Sequence, residues 1–154
     1  MYDTILVPLD GSKRAEAIIP HVQAFGRDVQ SKVILLTAIE HKTLISAEGI
    51  QSLPDAGELE RRMQAAQVYL KNLTEEFRRM DIQTEYKAVY GSAVEVIIQV
   101  AEEEDAKLIA IASHGRTGLS RVFYGSIAAG LLQTVDRPLL VIRSRGSKSD
   151  KTPK

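Results

Sequence analysis

Apolar residues in this chain come in short bursts, too brief to be helices, that alternate with longer segments of helical period. TILVPL at 4–9, VILLTAI at 33–39, LIAIA at 108–112 and LLVIR at 139–143 are continuous runs of the kind a strand shows when both of its faces are buried. QTEYKAV at 83–89 alternates instead, as a strand nearer an edge does. Between the runs, Ala15, Ile18, Ile19, Val22 and Phe25 mark one helix, with Gly26 placed to end it and Pro20 expected to bend it. Leu59, Met63, Ala66, Leu70, Leu73, Phe77 and Met80 recur at helical steps along a second helix, a stripe that reads as core. Ser92, with Glu95 three residues on, is a capping-box signature opening a third helix whose apolar face is Val94, Ile97, Ile98 and Ala101. A fourth helix lies near 126–134. Each strand-to-strand return is then made by a helix, so the pattern specifies an α/β domain on an open parallel sheet of five strands.

A chain of 154 residues supports one core of this size. Residues 1–144 are expected to form the domain, and 145–154, basic and without apolar residues, a disordered tail. Residues 41–55 have no clear period and read as a mobile excursion after the second strand, from which a lid over a ligand would come. Lys plus Arg and Asp plus Glu number 20 each, so no global field draws nucleic acid or an anionic membrane. The lack of cysteine removes disulfides, thiolate catalysis and cysteine-ligated zinc together. No apolar run approaches 18 residues and no basic-then-apolar leader opens the chain, so the expectation is a soluble cytoplasmic protein.

The chemistry concentrates in SHGRTGLSRVFYGS at 113–126, between the fourth strand and the fourth helix. Gly115, Gly118 and Gly125 let backbone N–H groups approach an anion closely, and the helix starting near Ser126 adds unpaired N–H groups and a positive end. From 106 to 135 there is no Asp or Glu, whereas Lys107, Arg116 and Arg121 are present. Two readings stand: a phosphate cradle, or a flexible turn with solvated arginines. In an open parallel sheet ligands bind beyond the carboxyl ends of the strands where strand order reverses, which would set Asp10 across a crevice from this loop. There is no GxxxxGK[ST], and no GxGxxG follows the first strand, which excludes a Walker-type P-loop and a dinucleotide fold. The third strand ends in Val89-Tyr90-Gly91 without an acceptor aspartate, which disfavours a phosphorelay receiver.

Taken with ILVPLDGS, VILLTAIE, YGSAVEVIIQVAEEEDAKLIAIASHGRTGLS and RPLLVIR, the loop resembles the universal stress proteins in their ATP-binding branch. That branch carries glycine, two residues, glycine, nine residues, then glycine with Ser or Thr; here Gly115 and Gly125-Ser126 keep the spacing, and Ala112 stands at the first glycine. The resemblance implies a Rossmann-like, adenine nucleotide alpha hydrolase-like domain with strand order 3-2-1-4-5 and helices on both faces. It implies that Pro8, Leu9 and Asp10 meet the adenosine part of ATP, and that the backbone of Ala38 reads adenine. Ala112, Ser113, His114, Gly115 and Arg116 would line ribose and phosphates, with Gly125, Ser126 and Ile127 cradling the phosphates. Asp10 with Ser126 would hold Mg²⁺ through the phosphates. The last strand, Leu139, Leu140, Val141, Ile142 and Arg143, would pair with its twin in a homodimer.

The function implied is a nucleotide-dependent regulatory protein of the stress response, with an unidentified protein partner. A slow ATP hydrolase and a nucleotide-free dimeric interaction module are the alternatives. No residue is assigned a catalytic role: within the loop no carboxylate is placed to orient His114 as a base, so a ribose or backbone contact is expected there. His21 and His41 read as incidental, Ser12 as a helix cap, and Glu102, Glu103, Glu104 and Asp105 as a solvated helix end.

Overall fold

The computed structural model of the chain describes residues 1–41, 44–46, 49–51, 56–114 and 125–144. In chain order the elements are β1 (Thr4–Pro8), a 3₁₀ turn (Ala15–Ile18), α1 (Ile19–Val29), β2 (Lys32–Ile39), β3 (Leu44–Ser46), β4 (Gly49–Gln51), α2 (Ala56–Arg79), β5 (Thr84–Tyr90), α3 (Ala93–Glu103), β6 (Leu108–His114), α4 (Ser126–Thr134) and β7 (Leu139–Ser144). Five strands form one sheet in the order β5-β2-β1-β6-β7, with every neighbouring pair parallel. Numbered along the chain, that is the 3-2-1-4-5 order.

The continuous apolar runs follow from burial on both faces. Alternate residues of a strand point to opposite sides, and here each side has its own core. Ile5, Val7, Val33 and Leu35 pack with Val22 of α1 and Leu70, Leu73 and Phe77 of α2. Leu6, Ile34, Leu36, Ile109 and Ile111 pack with Val96, Ile97 and Val100 of α3 and Leu131 of α4. Burying one such side chain fully, as Phe77 is, contributes roughly 1.5–3 kcal/mol. β5 and β7 are the edges, as the sequence of β5 suggested, but burial along β5 does not alternate: the consecutive Glu85 and Tyr86, on opposite faces, are both exposed.

Local features depart from expectation where tertiary contacts decide them. Pro20 does not bend a helix: the chain turns first in a 3₁₀ turn, and α1 then starts at Ile19, so the proline sits in the first turn where its missing N–H has no intrahelical acceptor to lose. Gly26 does not end α1, which runs on to Val29 and stops at Gln30 in the left-handed region. Gly26 instead allows a close approach, since a Cβ there would lie 2.8 Å from Ile82 Cγ2. Met80 is exposed, because α2 has already terminated: the Ile82 and Asp81 N–H groups donate back to the carbonyls of Phe77 and Arg78, a Schellman end with Asp81 left-handed. The segment 41–55 contains a short antiparallel hairpin, β3 with β4. The tail 145–154 lies outside the described residues.

Ser92 is the N-cap of α3 in extended conformation, yet its side chain makes no capping bond. The Ala93 N–H donates instead to Glu40 Oε1 at 2.7 Å, from the end of β2. At the other end of α3, the Arg137 guanidinium donates to the carbonyls of Ala101 and Ala106 at 2.8 and 3.1 Å, satisfying helix-end acceptors from the segment that leads into β7. Among the described residues, no helix is long and apolar enough to cross a membrane.

Candidate functional site

Strand order reverses between β1 and β6: β1 leads through α1 to β2 on one side, and β6 through α4 to β7 on the other. A cleft of about 160 Å³ opens at the carboxyl ends of these strands, where an open α/β sheet places its ligands. Pro8, Leu9 and Asp10 line it after β1, and Ile111, Ala112 and Ser113 line it from β6. Leu36 and Ala38 of β2 face Ala93 and Ile97 of α3, and Gly125, Ser126, Ile127 and Ala128 bring in the start of α4.

The β1 side is a rigid turn. Gly11 takes φ +81°, a conformation that side chains disfavour. Asp10 Oδ1 accepts the Ser12 N–H at 2.8 Å, and Ser12 Oγ accepts the N–H of Ala15, the first residue of the 3₁₀ turn, at 3.1 Å, although the N-cap positions themselves are Arg14 for the turn and Ile18 for α1. The turn is tied to β2 by the Leu9 N–H, which donates to the Leu36 carbonyl at 2.7 Å. The Thr37 hydroxyl donates to the Leu9 carbonyl at 2.9 Å. From α2 the Tyr69 hydroxyl donates to Glu16 Oε1 at 3.1 Å. Burial first, and then the Glu16 carboxylate, push the Tyr69 phenol well above its ordinary value, so it stays protonated and remains the donor. Ala15, which this brace steadies, is part of the cleft wall.

The cleft wall combines apolar residues, Leu36, Ala38, Ala93, Ile97 and Ile111, with polar ones, Asp10, Ser113 and Ser126. Gly125 is the N-cap of α4 and, like every glycine, offers no capping side chain. The first N–H groups of a helix have no intrahelical acceptor, and here the residues that carry them, Ser126, Ile127 and Ala128, line the cleft. With the positive end of the helix, they form a donor set suited to an anion.

Pro8, Leu9, Asp10, Ala38, Ala112, Ser113, Gly125, Ser126 and Ile127, scattered in sequence, therefore meet at one cleft. Of His114 only the backbone is described, paired with Ser144 at the end of β6; Gly115 and Arg116 lie outside the described residues. The sequence reading missed Ala15, Leu36, Ala93, Ile97, Ile111 and Ala128 as wall residues, assigning such positions to the core. The available signal was spacing: Leu36 lies two residues before Ala38 on the same strand face, and Ala93 and Ile97 are one helical turn apart. Among the described residues no group of three or more His, Cys, Asp and Glu could hold a metal ion. Asp10 and Ser126 offer one carboxylate and one hydroxyl, a set that serves Mg²⁺ only when phosphate oxygens complete it.

A cleft at the switch point of a 3-2-1-4-5 sheet, with an uncapped helix end on one wall, agrees with the sequence profile of the Universal stress protein family, which matches residues 1–143. The chain belongs to that family. Universal stress protein MJ0577 of Methanocaldococcus jannaschii is 30% identical, the match covering 96% of this chain and 98% of the relative. Its solved structure superposes with a TM-score of 0.77 over 96% of this chain and 99% of that one. A universal stress protein of Archaeoglobus fulgidus solved in complex with dAMP has a TM-score of 0.64 at 18% identity, covering 92% of this chain and 98% of its own. Another universal stress protein, solved in complex with cAMP, has a TM-score of 0.65 at 19% identity, covering 94% and 98%. At these identities the last two establish a shared fold.

Proposed function

We propose that this universal stress protein binds ATP in the switch-point cleft, with the base against the apolar wall and the phosphates at the amino end of α4. The uncapped start of α4 carries the reading: the N–H-bearing residues Ser126, Ile127 and Ala128 line the same cleft as the apolar Leu36, Ala38, Ala93 and Ile97. A chain with 20 basic and 20 acidic residues has no global attraction for an anion, so the site itself must supply it. About 160 Å³ is below the roughly 300–1,000 Å³ of whole ligand pockets and fits the base end of a nucleotide. Gly115 and Arg116 belong to the phosphate side in this reading. Asp10 and Ser126 would hold Mg²⁺ together with the phosphates, the ion neutralising their charge when bound. The dAMP and cAMP complexes of family members with this fold lend support to an adenine nucleotide.

The protein acts as a nucleotide-dependent regulator rather than a productive hydrolase, since phosphoryl transfer needs a water-orienting group and Asp10, the carboxylate in the cleft, is taken up in this reading by the metal and the Ser12 N–H. It works as a homodimer through β7, an edge strand whose Leu139, Leu140, Val141 and Ile142 are only half-buried in the single chain. An open edge of this kind is a template for pairing with a second copy. Thermal unfolding with and without nucleotide tests the binding. ATP at about 100 times its Kd stabilises by about 2.7 kcal/mol, which raises the midpoint by roughly 5–10 °C for a chain of this size. No shift at millimolar ATP overturns the proposal in favour of a nucleotide-free interaction module.

A further inference from the structure

Much of the apolar wall of the cleft comes from two elements far apart in sequence, β2 with Leu36 and Ala38, and α3 with Ala93 and Ile97. Glu40 links them. Its Oε1 accepts the N–H of Ala93, itself a wall residue, at 2.7 Å. Its backbone carbonyl accepts Arg62 Nη1–H of α2 at 2.9 Å. Beside it the Gly91 N–H donates to the Ile39 carbonyl at 3.0 Å. A carboxylate at a helix N-terminus is favoured both as an acceptor of an orphan N–H and by the positive helix end. Ser92, the residue in position to cap α3 from within, makes no such bond, so the helix start depends on a group from β2.

We infer that Glu40 is the positioning residue for the base end of the cleft: by tying the start of α3 to the end of β2, it sets the slot width that selects a purine base. This rests on the nucleotide reading above. Glu40 is not among the residues lining the cleft and acts through Ala93. Its loss should therefore loosen recognition of the base and leave the phosphate side, built on α4, untouched.

The experiment titrates wild type, Glu40→Ala, Glu40→Gln and Ser92→Ala with ATP, CTP and inorganic triphosphate, with circular dichroism confirming the fold of each. Loss of a cap-type bond predicts about tenfold weaker ATP binding in Glu40→Ala, a collapsed ATP-to-CTP preference and unchanged triphosphate binding. Glu40→Gln keeps an oxygen acceptor and should restore most of the preference, and Ser92→Ala should match wild type. If Glu40→Ala does not fold, Glu40→Met, which keeps the length and removes the oxygen acceptor, decides in its place: base preference and ATP affinity identical to wild type overturn the inference. A folded Glu40→Ala with wild-type ATP affinity and preference likewise overturns it. Failure of wild type to bind ATP at all overturns the nucleotide reading itself, and this inference with it.

Discussion

Replacing Gly125 by aspartate should move stability and ligand affinity in opposite directions. Gly125 is the N-cap of α4 with φ −56° and ψ 159°, ordinary backbone for any residue, so the backbone itself puts no strain on a side chain there. Aspartate is a better N-cap than glycine by a few tenths of a kcal/mol, and its charge gains roughly 0.3–1 kcal/mol at the positive helix end. The same carboxylate occupies the N–H groups proposed for phosphate and faces its negative charge. At about 4 Å one such repulsion costs from ~1 kcal/mol in water to ~4 kcal/mol at an effective dielectric of about 20. With the displaced charge-assisted hydrogen bonds, at about 1.5–3 kcal/mol each, the loss in ATP affinity should be about 100-fold or more. Urea unfolding should show Gly125→Asp equal to or slightly more stable than wild type, and calorimetry should show weak or no ATP binding. Gly125→Ala, which adds volume without charge, should keep binding within several-fold. A folded Gly125→Asp that binds ATP as wild type does would refute the placement of phosphates at α4.

Two further substitutions test the framework that holds the cleft. Gly26→Ala would gain about 1 kcal/mol in an open helix, but its Cβ would lie 2.8 Å from Ile82 Cγ2, and Ile82 is buried. Overpacking of about 1–3 kcal/mol should make the variant less stable in urea, and a more stable Gly26→Ala would show that this contact yields freely. The Lys87 ammonium, and after it Lys32, holds Glu104 below the ordinary glutamate range. A depressed carboxylate pKa contributes stability that is present above the unfolded value and lost as pH falls through the folded one. Glu104→Gln should therefore cost about 0.5–1 kcal/mol at pH ~7 and progressively less as pH falls through the folded value of Glu104; a cost that persists undiminished in acid would contradict the ion-pair assignment.

The sheet was legible because burial on both faces leaves continuous apolar runs that nothing else in a chain of this composition needs. Boundaries shifted by one or two residues, as in Leu108–His114 against LIAIA, since polar ends such as Ser113 and His114 still pair with β7. The features that were not legible are those in which a distant residue overrides a local signal. Gly26 looked like a stop because glycine often ends helices, but its smallness serves contact with Ile82 across the fold. Ser92 and Glu95 spelled a capping box, and the cap is supplied by Glu40, more than fifty residues earlier. The hairpin β3–β4 has three-residue strands, too short for a period to emerge. At the site, spacing and turn chemistry pointed to the carboxyl ends of β1 and β6 and to the start of α4. The wall made by Leu36, Ala93 and Ile97 escaped notice because an apolar residue lining a ligand chamber reads the same as one lining a core.

Calorimetric titration of nucleotide-stripped protein with ATP, with and without Mg²⁺, tests the central claim most directly. The expected result is saturable binding near one ATP per chain, strengthened by Mg²⁺. Absence of binding up to millimolar ATP, in protein whose circular dichroism shows the α/β fold intact, would contradict it.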